Sequence, residues 1–156
     1  MVAHSEMILQ LVDSTRQVFE TMVFRTLEPV MPIEGNALRP RSNVVGIVGF
    51  GGTLSGLVAL YSTLEAADEI TSAMLGMPGV PVNAEMADAI GEITNMIAGG
   101  FRLRMADRGE ALAISIPSVT IGSDFYTRFA SNVSRNMCPF KMGEREICVE
   151  LILMRN

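Results

Sequence analysis

The chain has 156 residues, 49% of them hydrophobic, which fits one domain spanning 1–156 with a sizeable core. Seventeen acidic residues against twelve basic ones give a formal charge of −5, with no run of Lys or Arg. That balance argues against nucleic acid as a partner, because phosphate binding needs a positive footprint. Two cysteines, Cys138 and Cys148, and one histidine, His4, form neither a close thiol pair nor a metal-ligand cluster, which predicts a reducing, cytoplasmic setting.

A first helix is predicted from about Ser5 to Val23, with Ser5 as its cap and Ile8, Leu11, Thr15, Val18 and Met22 on its buried stripe. Glu6 and Asp13 interrupt its apolar run early, so no signal segment is expected there. Glu28, Pro29, Pro32, Glu34 and Gly35 then predict an irregular connection, leading through Arg39-Pro40-Arg41 to the first strand. Ser42 to Leu64 is charge-free and long enough by count to span a bilayer. Its five glycines and clustered β-branched residues predict two buried strands instead, Val44 to Phe50 and Leu54 to Tyr61, turning at Gly51-Gly52. Membrane insertion is therefore not expected.

Ser62 and Glu65 fit a capping box for a second helix that rests on Ile70, Ala73 and Met74 and ends at Gly76 and Pro78. The loop Gly79-Val80-Pro81-Val82 leads to a long third helix, Asn83 to Met105, with Asn83 as its cap and Glu85 at its positive end. Met86, Ile90, Ile93 and Ile97 recur at four, three and four, one buried stripe at about 100° per residue. Asp88, Glu92 and Asn95 recur at four and three on the other side, within about 60° of one another. Gly99 continues that polar face without a side chain, leaving it open to close approach.

After a charged turn at Asp107, Arg108 and Glu110, the segment Ala111 to Gly122 returns to strand-like sequence. Pro117 inside it cannot donate a ladder hydrogen bond and predicts an edge, a bulge or a strand end. Gly122 to Phe129 predicts a loop, and a last hairpin follows, Asn132 to Phe140 and Glu146 to Met154, turning at Gly143. Ile147, Val149, Leu151 and Leu153 alternate on one face of its second strand, with Cys148, Ile152 and Met154 on the other. A strand covered on both sides, or placed at a subunit interface, has that pattern.

No common catalytic motif is complete. Gly49, Gly51 and Gly52 lack the lysine of a phosphate-cradling loop, and Ser115, Ser118 and Ser123 lack a histidine base. Met96, beside the polar face, is a core filler by type or a contact for a partner. Asn95 in a helix interior lowers helix propensity without local benefit. A carboxamide is a poor base, but it can orient a water molecule, which suffices where the substrate is itself activated, as an acyl phosphate is.

Asp88-x3-Glu92-x2-Asn95-x21-Pro117, set within DAIGEITNMIAG and followed by ISIPSVTIG, resembles the CheC/CheX/FliY group of chemotaxis phosphatases, most closely its single-site CheX-like members. The resemblance implies an α/β fold, a CheC/CheX-like mixed domain with long helices packed on a β-sheet, and allows a homodimer through joined sheets. It further implies hydrolysis of the aspartyl phosphate on a CheY-like response-regulator receiver domain, with Asn95 orienting the attacking water and Glu92 engaging the receiver lysine. Asp88 is then expected to support docking and Pro117 to shape the nearby backbone. No cofactor is expected on this chain, since Mg2+ belongs to the receiver. In the first helix Asp13, Gln17 and Glu20 share the motif spacing, but Gln17 and Glu20 replace its glutamate and asparagine, so a second site is not expected. A noncatalytic receiver-binding or scaffolding module with the same face is the alternative; it predicts binding without faster phosphate loss.

Overall fold

The computed structural model describes residues 2–35, 42–76, 83–129 and 132–154, and of Asn83 the backbone only. Helix α1 (His4–Val18) is followed by strands β1 (Glu28–Pro29), β2 (Ile33–Glu34), β3 (Ser42–Gly52) and β4 (Gly56–Ser62). Helices α2 (Leu64–Leu75) and α3 (Asn83–Ala106) come next, then strands β5 (Leu112–Ile114), β6 (Ser118–Phe125), β7 (Val133–Met142) and β8 (Arg145–Met154). The expected approach at Arg39-Pro40-Arg41, the stop at Pro78, the loop at 79–82 and the cap assigned to the Asn83 side chain fall outside this description.

Helix α1 starts earlier than expected. Ala3 is extended and its carbonyl accepts the Met7 N–H at 3.0 Å, so Ser5 lies inside the first turn instead of capping it. Leu11, Thr15 and Val18 are buried as the stripe requires, while Phe19–Val23 widen into a π-helical turn. Phe24, at φ 61°, closes that turn by donating its N–H to the Phe19 carbonyl. The cap of α2 is Thr63, not Ser62: its hydroxyl accepts the Ala66 N–H at 3.2 Å, whereas Ser62 completes β4 and is buried. Gly76, at φ 66°, ends α2 as expected.

All strand pairs are antiparallel, in the order β1-β7-β8-β4-β3-β5, with β2 also on β7 and β6 also on β3. Gly51-Gly52 do not make the β3–β4 turn. They stay in β3 and pair with Ala113 and Leu112, and the chain reverses at Thr53 to Ser55. The reason is close approach: a Cβ on Gly52 would stand 2.2 Å from the Ala111 carbonyl oxygen. The β7–β8 hairpin turns at Gly143 (φ 63°), as expected. Strand β6 runs on to Phe125, so the predicted loop is confined to the residues after it.

The three helices cover one face of the sheet. Ile90, Ile93, Ile97 and Phe101 of α3 meet Leu11 and Phe19 of the first helical segment and Val44, Val58, Val149 and Leu151 of the strands. Each such aliphatic side chain contributes about 1.5–3 kcal/mol by leaving water. The opposite face carries a smaller cluster of Val45, Ala59, Tyr61, Met137, Cys148 and Ile152. At its centre Glu150, fully buried, binds the Arg135 guanidinium at 2.5 and 2.9 Å and accepts the Tyr61 hydroxyl at 2.6 Å. Arg135 also donates to the Thr127 carbonyl at 3.0 Å and lies over the Phe129 ring, which holds the segment after β6 against this face.

Two glycines seat α3. A Cβ on Gly46 of β3 would stand 2.2 Å from the Thr94 hydroxyl oxygen, and one on Gly100 would stand 2.3 Å from that of Ser14. Both hydroxyls are turned back onto helix carbonyls, Thr94 to Ile90 at 2.7 Å and Ser14 to Ile97 at 2.8 Å. The inner face of α3 is therefore held close to β3 and to α1, and its outer face is held with it.

Candidate active site on the outer face of helix α3

The residues that face away from the core on α3 are those the spacing placed there. Asp88 and Glu92 are exposed, Asn95 is half-buried, and nothing lies within 4 Å of a Cβ built on Gly99. Among the described residues, the side chains of Asp88, Glu92 and Asn95 have no hydrogen-bond or ion-pair partner, so their donors and acceptors face outward. Met96 is half-buried against the main core. One helix thus presents a carboxylate and a carboxamide three residues apart on a scaffold fixed from below.

The wall beside this face comes from the edge of the sheet. Between the pairs Phe50↔Ile114 and Ile47↔Ser118, three residues, Ser115, Ile116 and Pro117, stand opposite two of β3. This is a β-bulge on an edge strand, where a proline without an N–H costs no ladder bond. It pushes Pro117 toward α3, where Gly91 receives it: a Cβ on Gly91 would lie 3.4 Å from Val119 and 3.7 Å from Pro117. A groove of about 500 Å³ results, lined by Ala87, Asp88, Gly91, Glu92, Pro117 and Val119.

The structure thus brings Asp88, Glu92 and Pro117 to one groove, with Asn95 and Gly99 following on the same helix face. Gly91 and Val119 are additional lining residues. A glycine costing about 1 kcal/mol in mid-helix was the available signal for such close packing. The related spacing on the first helix does not give a second face of this kind. Gln17 accepts a hydrogen bond from Arg104 at 2.7 Å, and Glu20 lies in the π-helical turn, out of α-helical register with Gln17. A separate cleft of about 550 Å³ lies between α2 and the β7–β8 turn, where Glu69 bridges Arg25 and Arg145 at 3.0 and 2.9 Å.

Among the described residues no group of three or more His, Cys, Asp or Glu could hold a metal ion. No helix among them is long and apolar enough to cross a membrane. Residues 42–64 form the β3–β4 hairpin and the start of α2.

The site is thus a long helix with Glu92 and Asn95 on its outward side, mounted on an antiparallel sheet. The family model for the chemotaxis phosphatase CheX matches residues 44–141. The CheY-P phosphatase CheX of Thermotoga maritima is 30% identical over 113 residues, 65% of this chain and 72% of that protein. The chemotaxis protein CheX of Desulfovibrio desulfuricans superposes with a TM-score of 0.88 at 28% identity, covering 95% of this chain and 99% of that one. The CheX-CheY-BeF3-Mg2+ complex of Borrelia burgdorferi shares the fold, with a TM-score of 0.77 at 20% identity over 95% of this chain and 97% of that one. The chain belongs to the chemotaxis phosphatase CheX family. Members of that family are hydrolases.

Proposed function

We propose that this protein removes the phosphoryl group from the aspartyl phosphate of a CheY-type receiver domain, ending the signal it carries. The observation that supports this most is the outward Glu92 and Asn95 pair on an α3 held rigidly at Gly46 and Gly100. An acyl phosphate is already activated, so catalysis needs alignment and electrostatic stabilisation more than a strong base. In this reading the side-chain oxygen of Asn95 accepts a hydrogen bond from a water and so aims the water oxygen in line with phosphorus. As the water oxygen bonds to phosphorus, the P–O bond to the receiver carboxylate breaks; the water's protons leave with the phosphate, and inorganic phosphate and a free aspartate result.

Glu92 is assigned to the receiver's lysine, an ion pair that sets the depth at which α3 docks. Asp88, one turn earlier, adds acidic charge to the docking face, and bare Gly99 admits the receiver backbone. Pro117 shapes the wall against Gly91. Met96 supports the helix from its flank. Mg2+ and its acidic ligands belong to the receiver, as a CheX-CheY-BeF3-Mg2+ assembly from another organism is consistent with. A cytoplasmic location and a two-fold dimer through joined sheets complete the proposal.

The test compares phosphate release from a phosphorylated CheY-type receiver with release from acetyl phosphate alone, each with and without this protein. Acceleration only with the receiver is expected, because the metal and the lysine are the receiver's. Equal acceleration of both would contradict a site shared between two proteins, and acceleration of neither would contradict the phosphatase reading.

A further inference from the structure

Ile116 is 88% exposed, the highest value among the exposed large hydrophobic side chains of the described residues. A lone exposed apolar side chain is ordinary; this one is held in place. The bulge that carries it is tied to β3 through both backbone groups of Gly49. Ser115 donates its N–H to the Gly49 carbonyl at 2.8 Å, and its hydroxyl accepts the Gly49 N–H at 2.9 Å. The same hydroxyl donates to the Ile116 carbonyl at 3.1 Å, and the Pro117 ring restricts the next backbone torsion. Ile116 therefore stands in water on a fixed backbone, one residue from the wall of the Glu92 groove.

We propose that Ile116 is a docking and specificity residue, inserting into an apolar recess of the receiver domain when α3 docks. This rests on the receiver-phosphatase reading and adds to it the apolar contact that the acidic face of α3 lacks. Charged groups on that face steer and orient, while a central apolar anchor that loses all its water carries affinity. The side chain does not reach into the chemistry and takes no part in the phosphoryl step. Receivers with a polar surface opposite Ile116 are discriminated against by leaving it wet or a polar group unpaired.

The test uses the full chain with Ile116→Asp and Ile116→Leu. Turnover of the phosphorylated receiver gives KM and kcat, and titration with the beryllofluoride-loaded receiver gives Kd. Ile116→Asp is expected to raise both KM and Kd at least tenfold, the scale set by burying one aliphatic side chain, with kcat within about twofold of wild type. Ile116→Leu is expected to restore most of the affinity, and thermal midpoints should not move. Unchanged KM and Kd would overturn the proposal, as would a fall in kcat with KM constant. If the wild type binds the receiver without turnover, the phosphatase reading fails while Kd still decides the role of Ile116. If it neither binds nor turns over any receiver, both are overturned.

Discussion

Glu92 and Asn95 are chemically modest groups, and in the proposed site their value comes from position. Exposed on α3, Glu92 has no partner among the described residues, so its charge is available to a lysine brought by another protein. A charge-assisted hydrogen bond of this kind contributes about 1.5–3 kcal/mol. Glu92→Gln is therefore expected to lower kcat/KM for the phosphorylated receiver at least tenfold, measured by phosphate release under single-turnover and steady-state conditions. An unchanged kcat/KM would remove the lysine assignment. At this scale the polar face was readable from spacing alone, since Asp88, Glu92 and Asn95 share one side of any helix through them. Ile116 was not, and Gly91 only as a mid-helix glycine that marks close packing without saying against what. Their meaning depends on a bulge and a helix meeting across residues 91 to 119, and no local pattern records such a meeting. Ser62 and Thr63 show the same limit: two adjacent hydroxyls are equivalent caps on paper, and burial of Ser62 at the end of β4 decides between them.

At the scale of elements, α3 is positioned by contacts that only missing side chains allow. The Gly46 Cα lies under Thr94, whose hydroxyl is bonded to the Ile90 carbonyl. Gly46→Ala is expected to destabilise the protein by about 1–3 kcal/mol, the usual cost of overpacking, and to lower turnover by tilting the outer face. Adding Thr94→Ala removes the clashing oxygen and should recover part of both losses, a coupling that denaturant titration of the single and double variants measures directly. Strictly additive effects would show that the contact does not seat the helix. The α3 span was legible because a long 3.6-residue period leaves few alternatives. The Gly51-Gly52 turn was misplaced because two glycines signal a turn and a close approach equally well, and here Ala111 makes the approach. The π-helical turn at Phe19–Val23 had no sequence signature, and it takes Glu20 out of α-helical register with Gln17.

For the whole molecule, two layers meet in the sheet: helices on one face and a small mixed cluster on the other. The alternation of β8 pointed to a strand covered on both sides or placed at a subunit interface, but nothing in that pattern singled out Arg135 and Glu150. Only their pairing across the β7–β8 hairpin, with Tyr61 from β4, makes their burial tolerable. The buried thiols give this core a pH signature. Burial, and next the charge of Glu150, push Cys138 up to about 12 from its ordinary 9.0. Burial, followed by the nearness of Cys138 and Glu150, raises Cys148 as well. The folded chain therefore holds these protons more tightly than the unfolded one. Their contribution to stability is complete below about pH 9 and is lost as pH climbs toward 12. Tyr61, raised by burial and then by Glu150, acts in the same direction from its ordinary 10.0 upward. Denaturant midpoints should fall between pH 9 and 11, and fall less steeply in Cys138→Ala, which lacks one of the groups responsible. A midpoint independent of pH in this range would show that the thiols ionise as freely folded as unfolded.

The most direct measurement is the rate of phosphate loss from a Mg2+-loaded, phosphorylated CheY-type receiver of the same organism, with wild-type protein and Asn95→Ala run beside spontaneous decay. Removing a group that aligns the attacking water is expected to lower the accelerated rate by about a hundredfold or more, while receiver binding remains measurable. Hydrolysis by Asn95→Ala at the wild-type rate would contradict the account, because the water would then be aligned by something other than the outer face of α3.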